Sequence, residues 1–226
     1  MIARLAVIAV AIAGFGYVDA VRDDVVEADR LARIGSVIAQ GGAIGGAREI
    51  LASVDEDAAP TCAFGIARNL ALLRVAAEGP ASDRAAESLR HSLRCQPADG
   101  LGWALLAEHL ITAGDLNGGM EALDASRRFS PREGHVIVRR QFSSWPIYDL
   151  MPLDRQDATL DEFAMLVEGR YFPEALTIVQ TSGEEQAETL GDALVTVSLL
   201  SRQLFAGFAY PRSETLQVPG IERPPR

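Results

Sequence analysis

The chain has 226 residues, 48% of them hydrophobic and 6% aromatic, enough for one medium domain with a continuous core or for two small ones. An Ala, Leu, Arg and Glu bias favours helix over sheet, and the absence of lysine among the 21 basic residues reads as GC-rich codon usage and a bacterial source. The formal charge of −10 argues against a nucleic-acid partner, because displacing counterions from phosphates needs clustered positive charge, and the doublets Arg127-Arg128 and Arg139-Arg140 are too sparse to supply it.

The first predicted element is an apolar helix. Met1 to Arg4 is followed by an apolar run from Leu5 to Val18 and then by Asp19 and Arg22-Asp23-Asp24. A positive residue before an apolar core and acidic residues after it is the asymmetry that keeps the N-terminus in the cytoplasm and exports the C-terminal remainder. Residues 1–21 therefore read as a signal peptide or a signal anchor. The run from Leu5 spans about 21 Å at about 1.5 Å per residue, short of a hydrocarbon core of about 30 Å, whereas Met1 to Val21 suffices for a short anchor if Arg4 snorkels. Val18-Asp19-Ala20 offers a cleavage spacing instead. Both readings place the remaining chain outside the cytoplasm: single-pass at the inner membrane with a periplasmic domain, or soluble in the periplasm after cleavage.

Residues 22–131 carry three predicted helix pairs. Leu31, Ile34, Gly35 and Ile38 share one face of a helix, and Ala47 and Leu51 lie on its partner. Asn69, Leu72, Leu73 and Ala76 open the second pair, which continues through Ala85, Leu89, Ser92 and Pro97. Trp103, Leu106, Ala107 and Leu110 open the third, followed by Gly114 at a helix stop, Gly119, Leu123, Ser126 and Pro131. Leu89, Ser92 and Pro97 recur as Leu123, Ser126 and Pro131, a period of 34 residues. The first pair fits the same frame after a slip of four residues, absorbed in the polar connector Asp55 to Ala59. Leu72, Leu89, Trp103, Leu106, Leu110 and Leu123 are the expected core of the repeats.

These units resemble the tetratricopeptide repeat (TPR), with its W-x2-L-G-x2-Y, A-x3-F and P signature. Trp103, Leu106, Ala107, Leu110, Gly119, Leu123 and Pro131 carry the resemblance, and aliphatic residues stand at most of the aromatic positions. The resemblance implies an all-α fold: an antiparallel helix-pair array wound as a right-handed solenoid, with C-terminal capping helices added to the one N-terminal apolar helix.

Beyond Pro131 the period is expected to fail, because Ile137, Arg140 and Asp157 fall where Trp103, Leu106 and Leu123 would recur. Residues 132–210 read as a helix over Arg132 to Gln141 ended by Trp145-Pro146, a degenerate pair over Leu160 to Glu168 and Phe172 to Gln180, and one capping helix from about Glu185 to Phe205. Residues 211–226, with four prolines, read as a disordered tail.

Cys62 precedes the first helix of the second pair and Cys95 closes its second helix. In an antiparallel pair these ends are neighbours, so a Cys62–Cys95 disulfide is expected to clasp that unit at its open end, with two free buried thiols as the alternative.

Little in the sequence points to catalysis. His91, His109 and His135 contain no His pair at i, i+4 spacing and are expected at the surface or rim, so no metal is assigned. Gly41 to Gly46 lacks the strand and the Gly-Lys-Ser/Thr ending of a phosphate loop, and Ser143-Ser144 lacks a neighbouring base; no cofactor and no catalytic residue is assigned. The expected functional surface is a groove bearing Arg33, Arg68, Arg74 and Glu108, able to hold an extended peptide or a partner helix. Cys95 to Ala107, Ser126 to Pro131 and Val136 to Arg140 resemble helical accessory proteins of bacterial exopolysaccharide synthesis and export. That resemblance implies a non-catalytic scaffold for protein partners in the cell envelope, tied to the inner membrane by its first helix if uncleaved. The alternatives are a helical periplasmic enzyme, marked by a shifted acid in a cleft, and a carrier with a closed apolar cavity.

Overall fold

A computed structural model describes residues 28–39, 45–54, 62 and 65–224, and every described element is helical. The expected N-terminal apolar helix, the connector Asp55 to Ala59 and most of Gly41 to Gly46 lie outside the described residues. Among the described residues no helix is long and apolar enough to cross a membrane. The chain divides into two compact units, Met1–Pro97 and Ala98–Arg226.

The first unit contains α1 (28–39), α2 (Ala47–Ser53), α3 (Ile66–Glu78) and α4 (Asp83–Cys95). Leu31 and Ile38 of α1, Leu51 of α2, Leu72 and Leu73 of α3 and Leu89 and Leu93 of α4 are all buried. Asn69, which stands where the third pair has Trp103, is buried against Gly35: a Cβ on Gly35 would overlap the Asn69 amide. The glycine thus makes room for a polar side chain at a core position. Arg48 ties α2 to the end of α3 by donating from Nε to the Ala77 carbonyl at 2.9 Å. Ser82 caps α4, its Oγ accepting from the Ala85 N–H, and so satisfies one of the donors that a helix start leaves open.

The second unit runs through α5 (Gly100–Thr112), α6 (Leu116–Phe129), α7 (Gly134–Ser144), a 3₁₀ turn (Trp145–Leu150), α8 (Leu153–Glu168), α9 (Phe172–Thr181), α10 (Glu184–Ala193), a second 3₁₀ turn (Leu194–Thr196) and α11 (Leu199–Ala209). Leu106 and Leu123 are buried, while Trp103 and Leu110 are partly exposed and pack against the cluster that includes Ala107, Met120, Leu123 and Ile147. Gly114 adopts φ 87° and stops α5, as its position predicts. Arg170 does the same for α8 at φ 65°, a conformation uncommon for a residue with a Cβ.

Four expectations for this half of the chain change. The period runs one helix beyond Pro131 before it fails: α7 begins at Gly134, 34 residues after α5, with Ile137 and Arg140 buried at the recurring positions, whereas Asp157, where Leu123 would recur, is exposed. Arg140 misleads hydropathy because its charge is met by partners inside the protein. α8 begins at Leu153, earlier than Leu160, with the turn forced by Trp145-Pro146 inserted before it. The single capping helix is two, broken at Val197-Ser198, because Ser198 starts α11 with its own cap and hands its N–H to the Glu168 carboxylate at 2.9 Å.

The segment expected as a disordered tail is packed. Leu216 and Val218 are buried, the Tyr210 hydroxyl accepts from the Val218 N–H and donates to the Ile221 carbonyl, and Arg223 lies 4.4 Å over the Tyr210 ring. Arg223 also donates to the carbonyls of Tyr210, Ser213, Glu214 and Leu216. Its proline content lowers the chain entropy to be lost, and two apolar side chains and one arginine suffice to fix it.

Candidate functional site

The four groove residues do not act as a set. Arg33 is exposed and pairs with Asp29 on its own helix at 2.6 Å. Arg68 is half-buried and already engaged. Arg74 is half-buried: its Nη1 donates to Ser88 Oγ on the paired helix α4 at 2.7 Å, and its Nε is buried. Arg74 therefore braces α3 against α4. Glu108, in the second unit, is half-buried on α5, where burial holds its carboxyl above the usual range and the positive charge of Arg139 on α7 partly offsets this.

The histidines also part company. His109 is buried on α5, against the expectation of a rim position, and His135 lies 3.8 Å from Glu133 at the surface. His91 sits on α4 one turn before Cys95, its Nε2 3.9 Å from the sulfur. Cys62 and Cys95 form the expected disulfide, with Cα atoms 5.3 Å apart.

Two clefts open in the second unit. One, of about 460 Å³, is lined by Asp161, Ala164, Met165 and Glu168 of α8 and by Thr196, Val197 and Ser198 before α11. Asp161, Met165 and Glu168 recur at four and three residues, so they share one exposed face of α8. Met165 in the cleft lining is exposed, and so are Val195, Leu199, Leu200 and Leu204 on the segment that carries Thr196 to Ser198 and runs on into α11, each of the five between 42% and 65%. Glu168 is fixed at the rim by the Ser198 N–H and hydroxyl, which hold its carboxyl below the usual range. The second cleft places Glu184, Glu188 and Asp192 of α10 opposite Thr215, Gln217 and Pro219 of the packed C-terminal segment. Gly191 permits that approach, since a Cβ there would meet the Gln217 carbonyl.

A third polar assembly is internal. Arg140 on α7 donates to Glu162 Oε1 on α8 at 2.7 Å, to Ser126 Oγ on α6 and to the Ser130 carbonyl, and Arg127 reaches the same carboxylate oxygen at 3.3 Å. Gln141 donates to the Thr159 carbonyl and accepts from the Trp145 indole N–H. Burial pushes the Arg140 guanidinium below its usual range while Glu162 works against the shift. This network fixes α6, α7 and α8 to one another and lines neither cleft. Comparison of the chain with protein-family models, curated proteins and solved structures found no match.

The α8–α11 cleft escapes a sequence reading because its lining comes from α8 and from Thr196 to Ser198 before α11, segments about 30 residues apart that only the tertiary fold brings together. The exposed Leu199-Leu200 pair was a legible signal, hidden by assigning the whole segment to one capping helix. The neighbourhood of His91 and the cysteines was equally visible as a His-x3-Cys spacing, which puts both side chains on one helix face.

Proposed function

We propose that this protein is a non-catalytic, exported scaffold of the bacterial cell envelope, a TPR-like helix-pair array that holds protein partners in exopolysaccharide synthesis or export. The observation that carries the binding role is the cleft between α8 and the start of α11. An apolar patch of this kind, rimmed by carboxylates, is the usual mark of a surface that docks another protein. Asp161 and Glu168 flank Met165, so the complementary partner is a basic amphipathic segment, with apolar residues on Met165, Leu199 and Leu200 and Arg or Lys against the two acids.

The enzyme alternative needs a shifted acid in a cleft. Two acids are shifted: Glu108, raised by burial, lines neither cleft, and Glu168 lines the α8–α11 cleft but is lowered by its bonds from Ser198, which keep it an occupied acceptor and not a proton donor. The carrier alternative needs a closed apolar cavity, and the α8–α11 cleft is open and edged with charge. The scaffold reading is tested by cross-linking in intact envelopes, comparing the natural chain with a Met165→Asp/Leu200→Asp variant. A membrane protein captured by the former and lost by the latter is the expected result. Equal capture by both chains, or recovery of chaperones alone, overturns it.

A further inference from the structure

We propose that the Cys62–Cys95 pair, once reduced, joins His91 to form a site for one soft, thiophilic cation, with Cu(I) as the ion that fits best. The two sulfurs and an imidazole nitrogen of His91 all lie within 4.8 Å of one another. Cys95 and His91 are one turn apart on α4, so a single rigid helix presents two of the three donors, and the third is brought to them by the exposed Cys62. Two thiolates and an imidazole are soft donors, and three suffice for Cu(I) in a trigonal arrangement; Zn(II) would need a fourth, such as water.

The position of Cys95 suits a bound cation. It is the last residue of α4, where the helix dipole presents its negative end. That end favours a cation bound at Cys95. Arg94 lies in the same turn, its Nη2 3.3 Å from His91 Nδ1. Ligation through Nε2 places the ring proton on Nδ1 and turns Arg94 outward, which its exposed position permits.

The chemistry balances with a dithiol as reductant. Its two thiols are oxidised to a disulfide as the Cys62–Cys95 bond takes up two electrons and two protons, and the incoming ion then displaces both thiol protons to solvent. Oxidation of the pair removes two of the three donors, so the disulfide is the ion-free state of a redox-gated site. This inference is independent of the scaffold reading.

The test uses the full chain, reduced with a phosphine, freed of reductant without oxygen, and titrated with Cu(I) against a competing chelator. One equivalent is expected to bind, with two protons released, while the oxidised chain binds none. His91→Ala is expected to weaken binding by about tenfold or more and Cys95→Ser to abolish it. Circular dichroism follows the helices throughout. Equal binding by the oxidised chain, unchanged affinity in His91→Ala, no uptake by the reduced chain, or loss of helix on reduction that the ion does not restore would each overturn the proposal.

Discussion

Arg140 donates from Nε to Glu162 Oε1 at 2.7 Å, with both side chains buried, at a position where the two preceding helices of the same period carry Leu72 and Leu106. An aliphatic core position has become an ion pair. Removing one partner of a buried pair strands a charge and costs about 3–5 kcal/mol, whereas replacing both with apolar groups is often neutral. The two single variants are not equivalent here. Glu162→Leu leaves Arg140 with only Ser126 Oγ and the Ser130 carbonyl, so it should cost the full amount. Arg140→Met leaves Glu162 facing Arg127 at 3.3 Å and should cost less. Arg140→Met/Glu162→Leu should recover to within about 1 kcal/mol of the natural chain in urea denaturation. A double variant as unstable as Glu162→Leu alone would show that the network is needed for packing.

Gly134 and Gly207 give opposite expectations for the same substitution. Glycine to alanine inside a helix favours folding by about 0.5–1 kcal/mol when nothing blocks the methyl group. Gly207 on α11 has nothing within 4 Å of a built Cβ, so Gly207→Ala should stabilise by that amount. At Gly134 the methyl would enter the Tyr171 ring, and Gly134→Ala should destabilise by about 1–3 kcal/mol, relieved in part by Tyr171→Leu. Thermal unfolding of the three variants reads all these signs.

The helices and the cysteine clasp were legible because they depend on local signals: apolar spacing, the glycine at 114, and two cysteines at the ends of one hairpin. The illegible features depend on partners distant in sequence. Arg140 looks like a break in the period until Glu162 is set beside it. Arg74 looks like an outward arginine until Ser88 is seen to hold it. The last segment looks disordered by its prolines, although Leu216, Val218 and Arg223 find their partners on elements already folded. The α8–α11 cleft needed the break at Ser198, which in turn depends on Glu168, 30 residues earlier.

Cys62 and Cys95 lie 33 residues apart in sequence, and their bond restricts the unfolded first unit. The chain-entropy relation for such a loop gives about 3–4 kcal/mol. Cys62→Ser/Cys95→Ser should lower the urea stability of the first unit by about that amount and leave the second unit's transition in place. A variant that matches the natural chain would place the origin of the unit's stability in Leu72, Leu73 and Leu89 instead.

Glu108 sets a pH dependence of unusual sign. Burial raises its folded-state pKa above the unfolded value of about 4.3, and Arg139 recovers only part of the shift. Between the unfolded pKa and the raised folded one, the native state binds more protons than the unfolded state. This residue's contribution to stability is therefore fully present below the unfolded pKa and falls as pH rises through the window between the two. Glu108→Gln removes the buried charge, so it should raise the unfolding temperature at pH 7 and flatten the decline. Arg139→Gln should act oppositely, lowering stability at pH 7 and losing its effect through Glu108 as pH falls below about 3, where the carboxyl is protonated in both states. Unfolding temperatures of the three chains from pH 4 to 8 distinguish this from a carboxylate stabilised by Arg139, for which Glu108→Gln would lower stability at pH 7.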